Sequence, residues 1–156
     1  MTVVAELENH LQAVTKWLQD KPLTTDLADE LAAAFPAHGD WCKTTKALCQ
    51  QGLENGEVGP REAPNIRYGR ILKPDAKRQN FSLDVVLMTD LKGPHHSHPN
   101  GEIDLIFPCD PDARFDGHGE GWLVYEPGTS HHPTVTGGQA IVVYLLPNGA
   151  IEFTRH

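Results

Sequence analysis

The stretch that decides the fold is Gly93–Pro108, which reads GPHHSHPNGEIDLIFP. It contains His96 and His98, two residues apart, and then Glu102 after three further residues. Residues two apart in a β-strand point to the same side, so the two imidazoles can face one space. The stretch therefore predicts a strand that carries two potential metal ligands, followed by a turn and a third ligand.

The turn Pro99–Gly101 decides on which face Glu102 lies. Proline suits the first corner of a type I turn, and glycine suits the left-handed position that follows. A three-residue loop places His98 opposite Glu102 and His96 opposite Asp104, on one face of the sheet. A two-residue Asn-Gly loop would instead turn Glu102 to the other face. We predict the three-residue loop.

A second histidine-bearing turn, EPGTSHH, follows at Glu126–His132 and delivers a further imidazole to the start of a strand. Imidazoles and a carboxylate that converge form a nitrogen and oxygen site. Such a site suits Fe, Mn, Co, Ni or Zn better than Ca or Mg. Histidines near a turn are often only exposed polar residues, so the spacing needs structural context. Two motifs in this order favour a metal site.

The two motifs resemble those of the cupins, small β-barrels that hold a metal inside. The first cupin motif, His-x-His-x3-Glu, matches residues 96–102, and the second, which ends in Gly-x-x-His, matches residues 128–131. The resemblance implies four metal ligands: His96, His98, Glu102 and His131. Pro127 directly precedes Gly128, where the family usually has one residue between them, and His132 is an alternative to His131. The fold class it implies is mainly β, a cupin-type (jelly-roll) β-barrel with an α-helical N-terminal third.

The composition of the 156-residue chain bounds its class and partners. Its length predicts one compact unit, which we divide into a helical N-terminal cap over 1–56 and a cupin β-barrel over 57–156. The formal net charge of −8 argues against nucleic acid and against anionic membrane surfaces as partners. No apolar run approaches the roughly 20 residues that span a bilayer. With no secretion signal at the N-terminus, we expect a cytoplasmic protein.

Hydrophobic periodicity places three helices in the first third of the chain. Apolar residues at three- and four-residue spacing predict a helix over 3–20. Thr24 or Thr25 can cap a second helix, which ends at Phe35, and Asp40 can cap a third, which closes near Gly52. Beyond residue 65, short runs of branched and aromatic residues predict six strands: 66–72, 81–88, 102–107, 121–125, 140–146 and 150–154.

Three cysteines and one loop complete the candidate residues. We interpret Cys42, Cys49 and Cys109 as small apolar packing residues, with a catalytic thiol as the alternative for Cys109. The loop 109–120 is acidic, rich in glycine and long enough to cover a pocket. Within it His118 is expected to be exposed, with a substrate contact as the alternative.

The whole chain, with its helical third and both histidine motifs, resembles the bacterial 4-hydroxylaminobenzoate lyase family. The resemblance implies conversion of 4-hydroxylaminobenzoate to 3,4-dihydroxybenzoate with release of ammonia, in the breakdown of nitroaromatic compounds. It implies one divalent transition metal (Fe, Mn or Zn), with Glu102 and Asp104 as catalytic residues that move protons. Composition and spacing by themselves show none of this.

A small aromatic carboxylate substrate requires a cation in the pocket, and a bidentate arginine suits a carboxylate best. The candidates are Arg67, Arg70, Arg78 and Arg114. Two other functions stay open: a cupin oxygenase acting on a small aromatic substrate, and a non-catalytic small-molecule-binding cupin. Because sheet edges often pair between chains, we expect a homodimer.

Overall fold

The computed structural model describes residues 2–154, in which three helices precede a β-rich region. The helices are α1 (Val3–Trp17), α2 (Leu27–Ala34) and α3 (Asp40–Asn55), and a short 3-10 helix spans Ala76–Arg78. The strands are β1 (Arg61–Ala63), β2 (Ile66–Tyr68), β3 (Arg70–Leu72), β4 (Phe81–Lys92), β5 (His96–His98), β6 (Glu102–Pro108), β7 (Arg114–Phe115), β8 (Gly121–Tyr125), β9 (Thr129–His131), β10 (Thr134–Pro147) and β11 (Glu152–Phe153).

The three predicted helices are present, with different ends. The hydroxyl oxygen of Thr2 caps α1 by accepting a hydrogen bond from the amide of Ala5 (3.1 Å). The predicted caps of the other two helices are wrong: α2 is preceded by Asp26 and α3 by Gly39. The third helix runs to Asn55 because Gly56, at φ 86°, supplies the left-handed residue that ends it.

Two antiparallel sheets make up the rest of the described chain. The larger has the order β1-β2-β4-β10-β6-β8, with β3 beside β4 and β7 beside β10. The smaller has the order β11-β5-β9. The two sheets face each other where side chains of β5 approach β6. Together with the N-terminal helices, this is the mainly β, cupin-type jelly-roll fold that the sequence predicted.

Both faces of strand β4 contribute buried side chains. Leu83 and Val85 on one side belong to the core that includes the helices. Val86 and Met88 on the other side belong to a second core between the sheets. The candidate site lies on this second side, so the helices support the site from behind the larger sheet.

The predicted pairing of the two motif strands through a hairpin is wrong. The strand β5 pairs with β9 and β11 in the smaller sheet, while β6 pairs with β8 and β10 in the larger one. The turn Pro99–Gly101 is a corner that carries the chain from one sheet to the other. Gly101 adopts φ 86°, and a β-carbon there would lie 2.8 Å from the carbonyl oxygen of Tyr125. Glu102 still faces the imidazoles, across the gap between the sheets.

Other strands differ from the prediction in extent. Gly69 divides the predicted strand 66–72 into β2 and β3. Three short strands, β1, β7 and β9, were missed, because two- and three-residue strands carry too little periodicity to be recognised. Over residues 2–154, none of the helices has the length and apolar character that crossing a membrane requires. The division of the chain at residue 56 stays a prediction.

Candidate metal centre

The structure brings together the four side chains that the cupin resemblance implied. His96 and His98 come from β5, and His131 comes from the neighbouring β9, where it lies directly opposite His96. Glu102 begins β6 in the facing sheet. One potential ligand atom from each residue lies within 4.8 Å of those of the other three. The four side chains thus converge on one small volume.

Several distances between these atoms are close to those of ligands on a shared cation. The Nε2 atoms of His96 and His131 are 3.0 Å apart. The carboxylate oxygens of Glu102 lie 3.6 Å from Nε2 of His96, 3.4 Å from Nε2 of His98 and 3.6 Å from Nε2 of His131. Two ligands that each lie about 2.1 Å from a metal are separated by roughly 3.0 to 3.4 Å. The cluster therefore has the dimensions of a small transition-metal site.

The orientation of His131 is fixed by Asp116, which the sequence did not single out. The carboxylate of Asp116 accepts hydrogen bonds from Nδ1 of His131 (2.6 Å), from the hydroxyl of Tyr125 (2.6 Å) and from the amide of Thr134 (2.8 Å). Burial opposes the ionisation of Asp116, but the hydrogen bonds from His131 and Tyr125 outweigh it and lower its pKa. An ionised Asp116 keeps the proton of His131 on Nδ1, so the lone pair of Nε2 faces the cluster.

A hydroxyl group, that of Thr129, orients His98 in the way that Asp116 orients His131. The hydroxyl of Thr129 donates to the carbonyl oxygen of Glu126 (2.6 Å), so its oxygen can accept a proton from Nδ1 of His98 (3.1 Å). Nε2 of His98 is then the unprotonated nitrogen, directed at Glu102. Burial lowers the pKa of His98 to about 4, which outweighs the opposing effect of Glu102. The imidazole is therefore neutral at pH 7.

The polar atoms at the centre of the cluster fit a bound cation. Nε2 of His98 and both carboxylate oxygens of Glu102 are buried and have no hydrogen-bond partner within the described chain. Unpartnered buried lone pairs cost free energy, and here those of His98 and Glu102 point towards each other, 3.4 Å apart. A cation among them would satisfy all of them at once. The residues present therefore fit a transition metal.

Asp104 lies beside the cluster, on the same face of β6 as Glu102. It is fully buried, and neither of its carboxyl oxygens has a hydrogen-bond partner among residues 2–154. Burial, and then the neighbouring carboxylate of Glu102, raise the pKa of Asp104 well above its usual value. Burial also opposes ionisation of Glu102, but the imidazoles around it lower its pKa. The two carboxyl groups thus differ in protonation.

The remaining histidine and cysteine candidates lie away from the cluster. Nδ1 of His132 is 3.1 Å from the carbonyl oxygen of Gly93, so this ring points elsewhere. His118 is exposed, as predicted. Cys109 is exposed, so the prediction that it is a packing residue is wrong. Partial burial of its sulfur atom raises the pKa of the thiol, which disfavours a reactive thiolate. Cys42 and Cys49 are buried and unpaired, as predicted.

A cavity of about 970 Å³ opens beside the cluster. His96 belongs both to the cluster and to the wall of this cavity, and Val86, Met88 and Phe153 give the wall an apolar character. Cavities of roughly 300 to 1,000 Å³ hold small-molecule ligands in proteins. A small aromatic molecule can therefore reach the edge of the cluster.

One of the four candidate arginines lines this cavity, namely Arg70. Its Nε donates to Asp84 (2.9 Å), and its Nη2 donates to the carbonyl oxygen of Gly149 (3.1 Å). Arg61 and Lys92, which the sequence did not suggest, line the cavity as well.

The other three arginines have structural partners outside the cavity wall. Arg67 bonds the carbonyl oxygens of residues 58 and 59, and Arg114 bonds those of residues 111 and 113. Arg78 is buried, where it bonds the carbonyl oxygen of Lys73 and the carboxylate of Glu8. Arg70 is therefore the candidate that the fold places near the cluster.

Sequence reasoning missed Asp116, Tyr125 and Thr129, because Asp116 and Thr129 contact histidines that are distant in the chain and Tyr125 contacts Asp116. The signal available was the dipeptide Asp116-Gly117 in the loop 109–120, which marks a tight turn. That turn puts Asp116 at φ 50° and the next glycine at φ 82°. The loop had been recognised as a possible cover for a pocket, but no pattern distinguished one of its acidic residues.

Comparisons with known proteins find relatives over most of the chain. The family described as PnbB, 4-hydroxylaminobenzoate lyase, matches residues 9–153. The 4-hydroxylaminobenzoate lyase of Pseudomonas putida is 32% identical over 153 residues, covering 87% of this chain and 87% of that protein. The protein of the same name from Nocardioides sp. (strain LMS-CY) is 28% identical over 145 residues, covering 87% and 86%.

Among solved structures, an RmlC-like cupin protein from Ralstonia eutropha is similar, with a TM-score of 0.46 and 12% sequence identity. The match covers 60% of this chain and 62% of that one. A similarity of this size says nothing about activity.

Proposed function

The chain belongs to the 4-hydroxylaminobenzoate lyase family, a family of enzymes, and on that premise we propose that it converts 4-hydroxylaminobenzoate and water into 3,4-dihydroxybenzoate and ammonia. The observation that carries the proposal is the place of His96, which is shared by the cluster and the cavity wall. A substrate in the cavity therefore lies against the groups that would activate it.

We propose that one divalent transition metal, Fe, Mn or Zn, is the cofactor. The residues that would hold it are His96, His98, Glu102 and His131. When bound, the metal supplies a Lewis acid for the oxygen of the hydroxylamino group. His131 and His98 contribute lone pairs whose direction is set by Asp116 and by Thr129.

Glu102 and Asp104 are the proposed proton-transfer residues. Both are fully buried and lie on one face of β6, two residues apart. The reaction requires a proton on the oxygen that leaves nitrogen, and removal of protons from the water that adds to the ring. Neither residue is among those that line the cavity, so each would act on the substrate through a neighbouring group.

Arg70 is the proposed partner of the substrate carboxylate. Its guanidinium is held in place by Asp84 and by the carbonyl oxygen of Gly149, so little conformational entropy is lost when a ligand binds. A planar guanidinium also matches a carboxylate better than the ammonium of Lys92 does. The apolar wall at Val86 and Met88 suits the aromatic ring.

The lyase proposal is tested with purified, metal-loaded protein. We expect ammonia and 3,4-dihydroxybenzoate from 4-hydroxylaminobenzoate in equal amounts, with no consumption of oxygen. Oxygen uptake coupled to product formation would indicate the cupin oxygenase instead. Binding of the substrate without release of ammonia would indicate a non-catalytic binding protein.

The role of Arg70 is tested by direct binding of 4-aminobenzoate, which lacks the N–O bond and is not turned over. Loss of a charged hydrogen-bonding partner is expected to weaken binding to Arg70→Gln by about 10- to 100-fold. Arg114→Gln, an exposed arginine outside the cavity wall, is the matched control and should bind as the wild type does. A larger loss in Arg61→Gln or Lys92→Gln than in Arg70→Gln would assign the carboxylate to that residue instead.

A further inference from the structure

Tyr144 lies in the wall of the cavity, and its hydroxyl has no protein partner. The side chain is 6% exposed and its ring lies 6.1 Å from that of Phe115. No hydrogen bond joins its hydroxyl to any residue between 2 and 154. Buried phenol hydroxyls usually find a partner. A hydroxyl that borders a cavity and has none is therefore available to a ligand there.

The register of the larger sheet places Tyr144 between the cluster and Arg70. Tyr144 on β10 is directly opposite Asp104 on the neighbouring strand β6. On its other side, Tyr144 is directly opposite Asp84 on β4. Asp84 is in turn directly opposite Arg70 on β3. Residues opposite one another in a sheet share a face and are about 5 Å apart. One row of polar side chains therefore runs from beside the cluster to the proposed carboxylate partner. Tyr144 is the member of this row next to Asp104 that also lines the cavity.

The surroundings of Tyr144 make it a hydrogen-bond donor. Burial, and then the carboxyl groups of Glu102 and Asp104, raise its pKa well above the usual value, so the phenol keeps its proton. The guanidinium of Arg70 lies two strands away, at the other end of this row, and attracts a ligand carboxylate. The carboxylate would then lie towards Arg70, and the nitrogen-bearing end of the substrate would lie beside Tyr144.

We propose that Tyr144 is a catalytic residue whose hydroxyl donates a hydrogen bond to the hydroxylamino oxygen of the substrate. The inference rests on the proposed function and deepens it by naming a group at the reacting end. A fixed donor is most effective where negative charge develops in the transition state, and here that place is the oxygen of the breaking N–O bond. The hydroxyl keeps its own proton and no bond to it is made or broken.

Tyr144→Phe tests the proposal, because it removes the oxygen and keeps the ring. We expect kcat for 4-hydroxylaminobenzoate to fall by about 10- to 100-fold, with KM changed by less than about threefold. The variant should unfold at the same temperature as the wild type or higher, since the lost hydroxyl has no protein partner. Its metal content should equal that of the wild type, since Tyr144 is outside the set of proposed ligands.

Tyr68→Phe is the matched comparison, because it removes the same atom from a more exposed tyrosine on β2 that lines the same cavity but lies outside the row beside Asp104. The loss of kcat in Tyr144→Phe must exceed the loss in Tyr68→Phe by at least about fivefold. A kcat in Tyr144→Phe within twofold of the wild type would overturn the inference and would show that water satisfies the hydroxyl. That result would leave the lyase activity itself intact.

Product binding separates this inference from the proposed function. If the wild type releases no ammonia, the lyase function fails, and calorimetry with 3,4-dihydroxybenzoate then decides the role of Tyr144. Affinity at least about fivefold weaker in Tyr144→Phe than in the wild type would support a ligand contact at this hydroxyl. Equal affinities, or no binding by the wild type, would overturn it.

Discussion

At the scale of single residues, the direction of imidazole lone pairs decides whether the cluster can accept a cation. Asp116 and Thr129 accept hydrogen bonds from the Nδ1–H groups of His131 and His98, so both Nε2 atoms face Glu102 without a proton. A histidine in the other tautomer would present a proton to the same space and would repel a metal. The site therefore depends on residues that touch no metal themselves.

Substitution of the proposed ligands should remove bound metal. His96→Ala and His98→Ala each delete one of the converging nitrogens, so we expect metal content after purification to fall below about one tenth of the wild-type value. Elemental analysis measures it, and circular dichroism shows whether the variants are folded. Full metal stoichiometry in both variants would refute the assignment.

Asp116→Asn should weaken metal binding while every proposed ligand is kept. The neutral amide no longer stabilises the proton on Nδ1 of His131, and changes of this kind typically cost 10- to 100-fold in metal affinity. Competition with a chelator measures the affinity. Asp112→Asn changes an exposed aspartate of the same loop and is the control, which should match the wild type. Equal affinities in both variants would mean that Asp116 has no such role.

At the scale of elements, the corner at Pro99–Gly101 sets the position of Glu102. The amide of Gly101 donates to the carbonyl oxygen of His98 (3.2 Å), which closes the turn between the two sheets. The corner needs a left-handed residue, and there is no room for a β-carbon beside Tyr125. This turn brings Glu102 of the larger sheet close to the three histidines of the smaller sheet.

Gly101→Ala should therefore destabilise the protein and loosen the cluster. The left-handed φ costs about 1 kcal/mol for alanine, and displacement of the backbone at Tyr125 should bring the total to about 2–4 kcal/mol. Gly56→Ala is the control, because Gly56 has the same φ of 86° with nothing within 4 Å of the added carbon. Urea unfolding measures both, and equal losses would contradict the steric part of the argument.

At the scale of the whole molecule, the cluster joins the two sheets. Three of the four side chains come from the smaller sheet and one from the larger, and the larger sheet packs on the helices through its other face. A bound cation would thus tie the smaller sheet to the rest of the fold. Whether the sheet edges also join two chains, as predicted from the sequence, stays a prediction.

Metal removal should lower the melting temperature. A ligand present at about 1,000 times its dissociation constant stabilises the folded state by about 4 kcal/mol, which corresponds to roughly 10 °C for a chain of this size. Thermal unfolding with a chelator and with added metal measures the difference. The same unfolding midpoint under both conditions would indicate that no metal joins the sheets. His98→Ala is the control, and its midpoint should change neither with the chelator nor with added metal.

The sequence by itself determined the fold class, the three helices and the side chains that converge. Helical periodicity and the His-x-His spacing are local, so they can be recognised without knowing what packs against them. The predicted reason for the convergence was nevertheless wrong, since Glu102 reaches His98 across two sheets and not along a hairpin. Spacing fixes which side a residue faces, but not which strand becomes its neighbour.

Only the tertiary structure placed His131 rather than His132 in the cluster, placed one of the four candidate arginines, Arg70, in the cavity wall, and brought Asp116 to His131 and Tyr144 to the cavity. Each of these depends on contacts between residues far apart in the chain, such as the pairing of β5 with β9 and of β4 with β10. Such pairings are set by how the whole chain buries its apolar faces, which no short segment encodes.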